Sequence, residues 1–566
     1  MSTSLKRWEV SPRAPEAHFA QFADLPRLIV QILYNRGFTQ PQEVHEFLAH
    51  SWSNDDPLAL KGMTEAVARL SQAIANQETI AVYGDYDVDG VTATTVMVQA
   101  LTALGAQVRA YIPNRFDEGY GLNNEALAEL ASQGVKVVLT VDCGIRSVKE
   151  VAYGNSLGLD IIITDHHHVG DEAPPALAAI NPKQPGCTYP FKDLAGVGLA
   201  YKLVQALVNY SPFHQNGLQS SDFLDLVALG TIADLAPLYG ENRKLAQAGL
   251  RHLNQSLRPG LAVLMEKIGT RPVISAGTIG FAIGPRLNAA GRLDSALAAY
   301  QLLMAATDFE AIHLATQLDL QNRERQRLTQ QTVEVARQAI LADNVRRPLY
   351  FIHHADFNPG IVGLAASRLS EEFYRPVLVA ERGSQYTKGS ARSIPDFHIT
   401  EALDQCADLL VRYGGHAAAA GFTLANENVP AFEAHLLQVA QQQLDVSTLS
   451  PSLTIDAEIN LRGVKPGLVE AIAALQPFGY GNPTPTFLSR NLTIKSLKTM
   501  GQENQHLRLA LHDGKQIWSA VAFRHGHWAT RLRPTQQIDI VYMLEFNEWN
   551  SERRMQLEIK DLRPSQ

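Results

Sequence analysis

Three short apolar runs in this sequence each stop at acids or imidazoles. The run IAVY is followed by GDYDVDG, which places Asp85, Asp87 and Asp89 on alternate positions. The run VVLTV ends in Asp142, and the run IIIT ends in Asp165, His166, His167 and His168. Three acids at a period of two would project to one side of a strand, where their repulsion is costly unless a cation neutralises them. Asp and Gly also build ordinary solvated turns, and it is the preceding strand that favours a metal here. A phosphate-cradling loop of the GxxxxGK[ST] kind is missing, and acids alone repel phosphate. A lone histidine at a strand end is commonly a hydrogen-bonded core residue, as His168 by itself would be, whereas three in succession after an aspartate fit a core poorly. Oxygen and imidazole donors without thiolate suit Mn²⁺ or Mg²⁺ better than structural zinc. Two such ions about 4 Å apart are the usual device for phosphoester cleavage.

The elements that must position these residues alternate from Met63 onward. Helices TEAVARLSQAIANQ, VTATTVMVQALTALG, NNEALAELASQG and SVKEVAYGNSLG separate the strands ETIAVYGDYD, QVRAYIP, VKVVLTVDCG and LDIIITDHHH. Short apolar strands between amphipathic helices predict an α/β domain whose parallel sheet is covered on both faces. Functional residues of such sheets collect at the carboxyl edge of the strands, which is where all three candidate sites fall. Residues 1–60 predict a helical cap or lid, 61–305 the α/β domain, and 306–345 a long polar connector helix. A second α/β domain is expected over 346–445 and, after the linker QQQLDVSTLSPS, a five-stranded barrel of OB type over 453–566.

Composition removes other classes. The chain has 566 residues, 46% hydrophobic and 19% charged, which predicts several globular domains rather than a disordered scaffold. Three scattered cysteines, Cys143, Cys187 and Cys406, exclude a disulfide framework and fit a reducing compartment. No signal-like leader or membrane-length apolar run occurs, so a cytoplasmic protein without membrane contact is expected. The formal charge is −8, yet Leu453 to Gln566 carries 14 Lys and Arg against 11 Asp and Glu. An acidic body with a mildly basic tail is compatible with metal carboxylates in one place and nucleic acid in another. Trp518, Trp528 and Trp549 stand among arginines in that tail, a composition suited to stacking and neutralising a single strand, although core packing is the ordinary place of any one Trp.

The motifs GDYDVDGVTATT, TVDCGI, TDHHH and GTIADLAPL, in that order, resemble the four motifs of the DHH phosphoesterase superfamily. GPRLNAAGRL, GSARS, RYGGHAAAAGF and the barrel entry LQPFGYGNPTPTF are similar to signatures of its RecJ branch, single-strand-specific 5′ to 3′ exonucleases. The resemblance covers most of the chain. It implies a parallel-sheet DHH domain, a helical connector, a second α/β domain of DHHA1 type and an OB-like barrel. It implies two Mn²⁺ or Mg²⁺ ions, one on Asp87 and Asp142 with Asp85 as ligand or near-ligand, the other on Asp89, Asp142, His166 and Asp234, so that Asp142 bridges. Asp234 is raised as a candidate by the resemblance alone. His167 would stand beside the scissile phosphate.

A terminal 5′-phosphate calls for arginines with hydroxyl or backbone donors. On the resemblance, Arg115, Arg286, Asn288, Ser390, Arg392 and His416 are the candidates, with Arg292 as a structural partner of a nearby acid. For each arginine a surface ion pair is the competing role. The small residues of GGHAAAAGF would admit a nucleotide chain, or equally a tightly packed helix. The sequence departs from the family at Phe357-Asn358, where an aromatic-His pair is usual, which leaves a phosphate contact from that loop in doubt. The resemblance implies single-stranded DNA as substrate, a groove between the two α/β domains too narrow for a duplex, a helicase and a single-strand-binding protein as partners, and a role in repair and recombination. A monomer is expected. The rival readings are a DHH phosphodiesterase acting on short RNA or cyclic dinucleotides, and a binding-only relative without catalysis.

Overall fold

The computed structural model describes residues 6–49, 55–114, 121–210, 217–269, 273–293, 295–343, 345–549 and 552–565. The chain divides into two compact units, one of residues 55–234 and 248–450, the other of residues 1–54, 235–247 and 451–566.

In the first unit, five parallel strands lie in the order Gln107–Tyr111, Thr79–Gly84, Val135–Val141, Asp160–Thr164, Ala178–Ile180. The residues of the three inner strands are mostly apolar and buried, as the continuous Ile and Val runs require of strands covered on both faces, while the edge strand Gln107–Tyr111 is partly exposed. The order reverses between Thr79–Gly84 and Val135–Val141, because the chain leaves the first for one edge and returns on its other side. A crevice opens at the carboxyl ends of strands flanking such a reversal, and Asp85 and Asp142 are the residues that follow those two strands. The strand before Asp85 ends at Gly84, so the three acids do not share a strand. Asp87 instead caps the helix Val88–Ala103, its Oδ1 accepting the Gly90 amide at 3.0 Å, and Asp89 lies in the first turn. Acids at a helix start satisfy its free amides, a local preference that outweighs continued extension.

The connector helix runs from Asp308 to Ala342 and leads to a five-stranded sheet in the order Arg412–His416, Ala419–Ala425, Tyr386–Arg392, Val377–Arg382, Tyr350–His354. Only the last two strands are parallel. GGHAAAAGF is therefore neither helix nor loop but most of an antiparallel hairpin.

In the second unit, the strands Phe487–Met500, His506–His512, Ile517–Ala522, Glu552–Pro564 and Gln537–Trp549 pair in that order, and the last pairs back to the first, closing a five-stranded barrel. The N-terminal segment is not a lid. Its strand Arg7–Val10 pairs with Ser452–Ile455, and Ile29, Ile32 and Leu33 of the helix Arg27–Asn35 are buried in one core with Phe487, Leu509 and Ile540 of the barrel. An amphipathic helix must bury its apolar stripe, and the barrel wall supplies the partner. Residues 235–247 join the same unit through Arg243, whose guanidinium lies 3.9 Å from the Phe47 ring and donates to the Leu475 carbonyl at 2.8 Å.

The helix Leu224–Ala233, which delivers Asp234, is approached closely at Gly249. A Cβ there would lie 2.0 Å from the Leu224 carbonyl oxygen. Gly249→Ala should therefore cost about 1–3 kcal/mol despite its better helix propensity, measured as a lower urea midpoint than that of the unsubstituted protein.

Candidate active site

Each candidate ligand is placed by a local device. Asp142 has φ 64°, and its amide donates to the Thr164 carbonyl at 2.9 Å, so the chain turns as the strand ends. Both oxygens of Asp89 are engaged from one side, by the amides of Gly196 and Val197 at 2.6 and 2.8 Å at the start of the helix Gly196–Tyr210. Gly196 also has to be glycine on packing grounds, since a Cβ would come within 2.7 Å of the Asp142 side chain. Asp234 is the C-cap of the helix Leu224–Ala233.

These devices bring distant residues together. His166 Nε2 lies 3.1 Å from Asp142 Oδ1, 3.7 Å from Asp234 Oδ2 and 3.9 Å from Asp89 Oδ2. Three sets of potential ligand atoms, each within 4.8 Å of one another, are formed by Asp85, Asp87 and Asp142, by Asp89, His166 and Asp234, and by Asp142, His166 and His167. Asp142 and His166 each belong to two of these sets.

The electrostatics show why a cation fits. Burial, followed by repulsion from Asp87, pushes Asp89 up to about 7. Burial and then Asp89 and Asp87 push Asp234 up to about 9, and burial with the facing Asp89, Asp87 and Asp234 drives Asp142 well above the carboxylate range. Burial and the neighbouring His167 lower His166 to about 3, so its ring is neutral. His166 Nε2 is itself buried and makes no hydrogen bond among the described residues. Crowded carboxylates and an imidazole lone pair facing one another form a donor set for hard or borderline divalent ions.

His167 behaves differently. Its Nδ1 lies 2.7 Å from Asp165 Oδ1, which also accepts the His167 amide at 3.0 Å, while Asp165 Oδ2 accepts the Ile145 amide at 2.9 Å. Burial opposes ionisation of Asp165, but the bonds from the His167 ring, the His167 amide and the Ile145 amide together hold it below the ordinary carboxylate value. Burial likewise opposes the His167 cation and is outweighed by Asp165, which raises it. The two form a half-buried carboxylate–imidazole pair that fixes the ring and favours its protonated form. Sequence reading placed Asp165 at the strand end without a role; its spacing two residues before His167 is the signal for one. It also passed over Asn181 and Lys183. Asn181 Nδ2 donates to the His167 carbonyl at 2.9 Å and Lys183 Nζ to the His166 carbonyl at 2.7 Å, anchoring the backbone that carries both rings.

The histidines open into a cleft of about 1010 Å³ whose opposite wall includes Ser390, Arg392 and His416. Arg392 donates to Ser390 Oγ at 2.7 Å, and His416 stands 6.2 Å, ring to ring, from His168. Arg286 does not line this cleft. Its Nε is bonded to Asp319 of the connector helix at 3.0 Å and its Nη1 to the Ala282 carbonyl, whereas Arg292, expected in a structural role, lines the cleft. The buried carboxylate of Asp319 accounts for the direction that Arg286 takes. Asn288 accepts the Val88 amide at 3.1 Å and so supports the helix capped by Asp87. Arg115 lies outside the described residues. Phe357 is buried with Val333 and Val379, and Asn358 accepts the Gly360 amide at 2.8 Å, so this pair shapes its own loop while Pro359 and Gly360 line the cleft.

In the barrel, Trp518 is buried and donates to Asp513 at 2.9 Å. It is a core residue, not a stacking platform, because its strand position faces the barrel interior. Trp528 is half-buried with Arg531 5.8 Å from its ring, Phe523, Arg508 and Arg524 are exposed, and the side chain of Trp549 lies outside the described part.

Comparison with known proteins matches residues 79–231 to the DHH family N-terminal domain, 341–442 to the DHHA1 domain and 455–561 to the RecJ OB domain. The single-stranded-DNA-specific exonuclease RecJ of Bacillus subtilis is 40% identical over 574 residues, 99% of this chain and 71% of that protein. Its Escherichia coli counterpart is 32% identical over 96% of each. The crystal structure of RecJ in complex with Mn²⁺ from Thermus thermophilus superposes with a TM-score of 0.83 at 32% identity, covering 99% of this chain and 80% of that one. The corresponding Mg²⁺ complex gives 0.78 at 30% identity, with 99% and 79% covered. The order of motifs, the sheet that gathers them and the closed barrel that follows agree with these likenesses along the whole length: the chain belongs to the RecJ family of DHH phosphoesterases.

Proposed function

We infer that this protein is a divalent-metal-dependent exonuclease that degrades single-stranded DNA from the 5′ end to 5′-mononucleotides, in DNA repair and recombination. The observation that carries the reading is the meeting of Asp85, Asp87, Asp89, Asp142, His166 and Asp234 at one sheet edge, beside a cleft whose far wall holds Ser390, Arg392 and His416. Asp87 and Asp142, with Asp85, would hold one ion, and Asp89, Asp142, His166 and Asp234 the other, as Mn²⁺ or Mg²⁺. When bound, the pair supplies Lewis-acid charge opposite the phosphate and lowers the pKa of the attacking water.

The protein's own groups complete the chemistry. His167, whose protonated form Asp165 favours, donates to a nonbridging oxygen or to the leaving oxygen as negative charge grows there. Arg392, with Ser390 beside it, is placed to bind the terminal 5′-phosphate by charge-assisted hydrogen bonds. Arg292 replaces Arg286 as the cleft arginine, and His416 faces the entering strand. The barrel contributes a further single-strand contact through exposed Phe523, Arg508, Arg524 and half-buried Trp528. No helix among the described residues is long and apolar enough to cross a membrane. A cytoplasmic monomer working with a helicase and a single-strand-binding protein is the proposed setting.

Digestion of 5′-labelled and 3′-labelled oligonucleotides, single and double stranded, tests the reading. Release of labelled mononucleotide first from the 5′ end of single strands, abolished by EDTA, is expected; rapid cleavage of a dinucleotide with inert long strands would favour the small-phosphodiester reading instead. Asp142→Ala should lower kcat more than about a hundredfold, since even changes behind a metal's direct ligands cost that much. Asp165→Asn should reduce kcat about 10- to 100-fold while Mn²⁺ affinity, read by calorimetry, stays near that of the unsubstituted protein.

A pH dependence follows from the raised acids. Asp89, Asp142 and Asp234 keep protons in the metal-free fold that the unfolded chain releases near pH 4, so their contribution to stability falls as pH rises from about 4 to about 9. Ions bind the deprotonated cluster and reverse the loss. The rise in Tm on adding Mn²⁺ should be larger at pH 8 than at pH 5; an equal rise at both would contradict the electrostatic account.

A further inference from the structure

The open face of the second sheet carries more positive charge than a terminal phosphate needs. Strand register stacks three rows across the adjacent strands Tyr386–Arg392, Ala419–Ala425 and Arg412–His416: Arg392, Ala419 and His416; then Ser390, Gly421 and Gly414; then Lys388, Thr423 and Arg412. All but Ala419 line the cleft. The first row stands beside the histidine run at the strand end, since His416 is 6.2 Å from His168. The third row lies four residues further along the strands, about 13 Å at the rise of a β-strand. Between them the middle row is nearly bare: a Cβ on Gly414 or Gly421 would meet nothing within 4 Å.

Lys388 and Arg412 are both exposed and make no ion pair among the described residues. Glu381 stands opposite Lys388 in register on the neighbouring strand, yet the two form no ion pair. Two cations flanking the Thr423 hydroxyl across a bare glycine floor can neutralise a phosphoryl group and still leave room for the group that joins it to the first row. Resting on the exonuclease reading above, in which Ser390 and Arg392 take the terminal phosphate of a mononucleotide, we propose that Lys388, Thr423 and Arg412 form an outer phosphoryl-binding site beyond that phosphate. The cleft would then accept 5′ ends with additional anionic groups, supplied either by a terminal triphosphate or by the phosphate of an extra nucleotide.

The test compares the full-length protein with the Lys388→Gln, Arg412→Gln double variant on oligonucleotides bearing a 5′-hydroxyl, 5′-monophosphate or 5′-triphosphate. KM and the size of the first product are measured with Mn²⁺, and binding by fluorescence anisotropy in EDTA. If a triphosphate occupies the site, the variant raises KM and Kd for that end alone, by about tenfold, equivalent to roughly 1.4 kcal/mol. If the 5′-phosphate of an extra nucleotide occupies it, the monophosphate end yields some dinucleotide first, and the variant abolishes that product, while the hydroxyl end, which places no phosphoryl group there, is unaffected by the variant. An equal loss for all three ends with unchanged product size would overturn the proposal in favour of general attraction, as would no change at all. The conservative exchange Lys388→Arg with Arg412→Lys should restore the effect. Hydrolysis failing for every end in the unsubstituted protein would count against the exonuclease reading, while the anisotropy series would still decide the outer site.

Discussion

Mutual repulsion among buried carboxylates is the constraint around which the first unit is built. Asp85, Asp89 and Asp142 are at most 4% exposed, and several of their carboxylates face one another. A fold can keep such a group only by holding protons on it or by binding cations. The surrounding architecture reads as the means of holding the acids in place: strand ends deliver Asp85 and Asp142, a helix start presents amides to Asp89, and a helix end presents Asp234. The same requirement explains why the ligands come from so many parts of the chain. No single loop carries enough backbone donors to orient five carboxylates at once, whereas the reversal point of a parallel sheet gathers several element ends without extra chain.

Around this centre the charge is graded. Burial and the neighbouring His167 favour the neutral ring of His166, whereas the Asp165 carboxylate hydrogen-bonded to His167 favours its protonated form, although the two are adjacent. Across the cleft, arginine, lysine and histidine side chains stand on a rigid antiparallel sheet rather than on a loop, which fixes their spacing. Acidic ligands at one end of the cleft and basic side chains along the rest of it match a substrate whose phosphate must touch ions at one point and side chains at the next.

Much of this was legible in the sequence because it depends on local pattern. Ile and Val runs with intervening amphipathic helices specify the parallel sheet, and the carboxyl edge rule then puts Asp85, Asp142 and His166 together. Asp234 was legible only through family resemblance: a residue after an apolar helix has no periodicity to mark its direction. Where Arg286 points was not legible because it depends on Asp319, more than thirty residues along, whose burial is a tertiary fact. The N-terminal segment read as a lid because helical spacing shows that a helix is amphipathic and not what it packs on. Trp518 was misread for a similar reason: alternation on a barrel strand decides inside from outside, and one residue of register reverses it.

The left-handed backbone at Asp142 narrows what heredity can do at this position. Asparagine and glycine settle readily into that conformation but bring no charge, while glutamate keeps the charge and is poorly suited to the turn. Aspartate thus satisfies two independent filters, and a single-letter change in its codon trades one of them for the other. A drift toward a weaker but still working centre has few intermediate stations here, so the hub of the cluster is expected to be gained or lost in one step while residues at its rim wander.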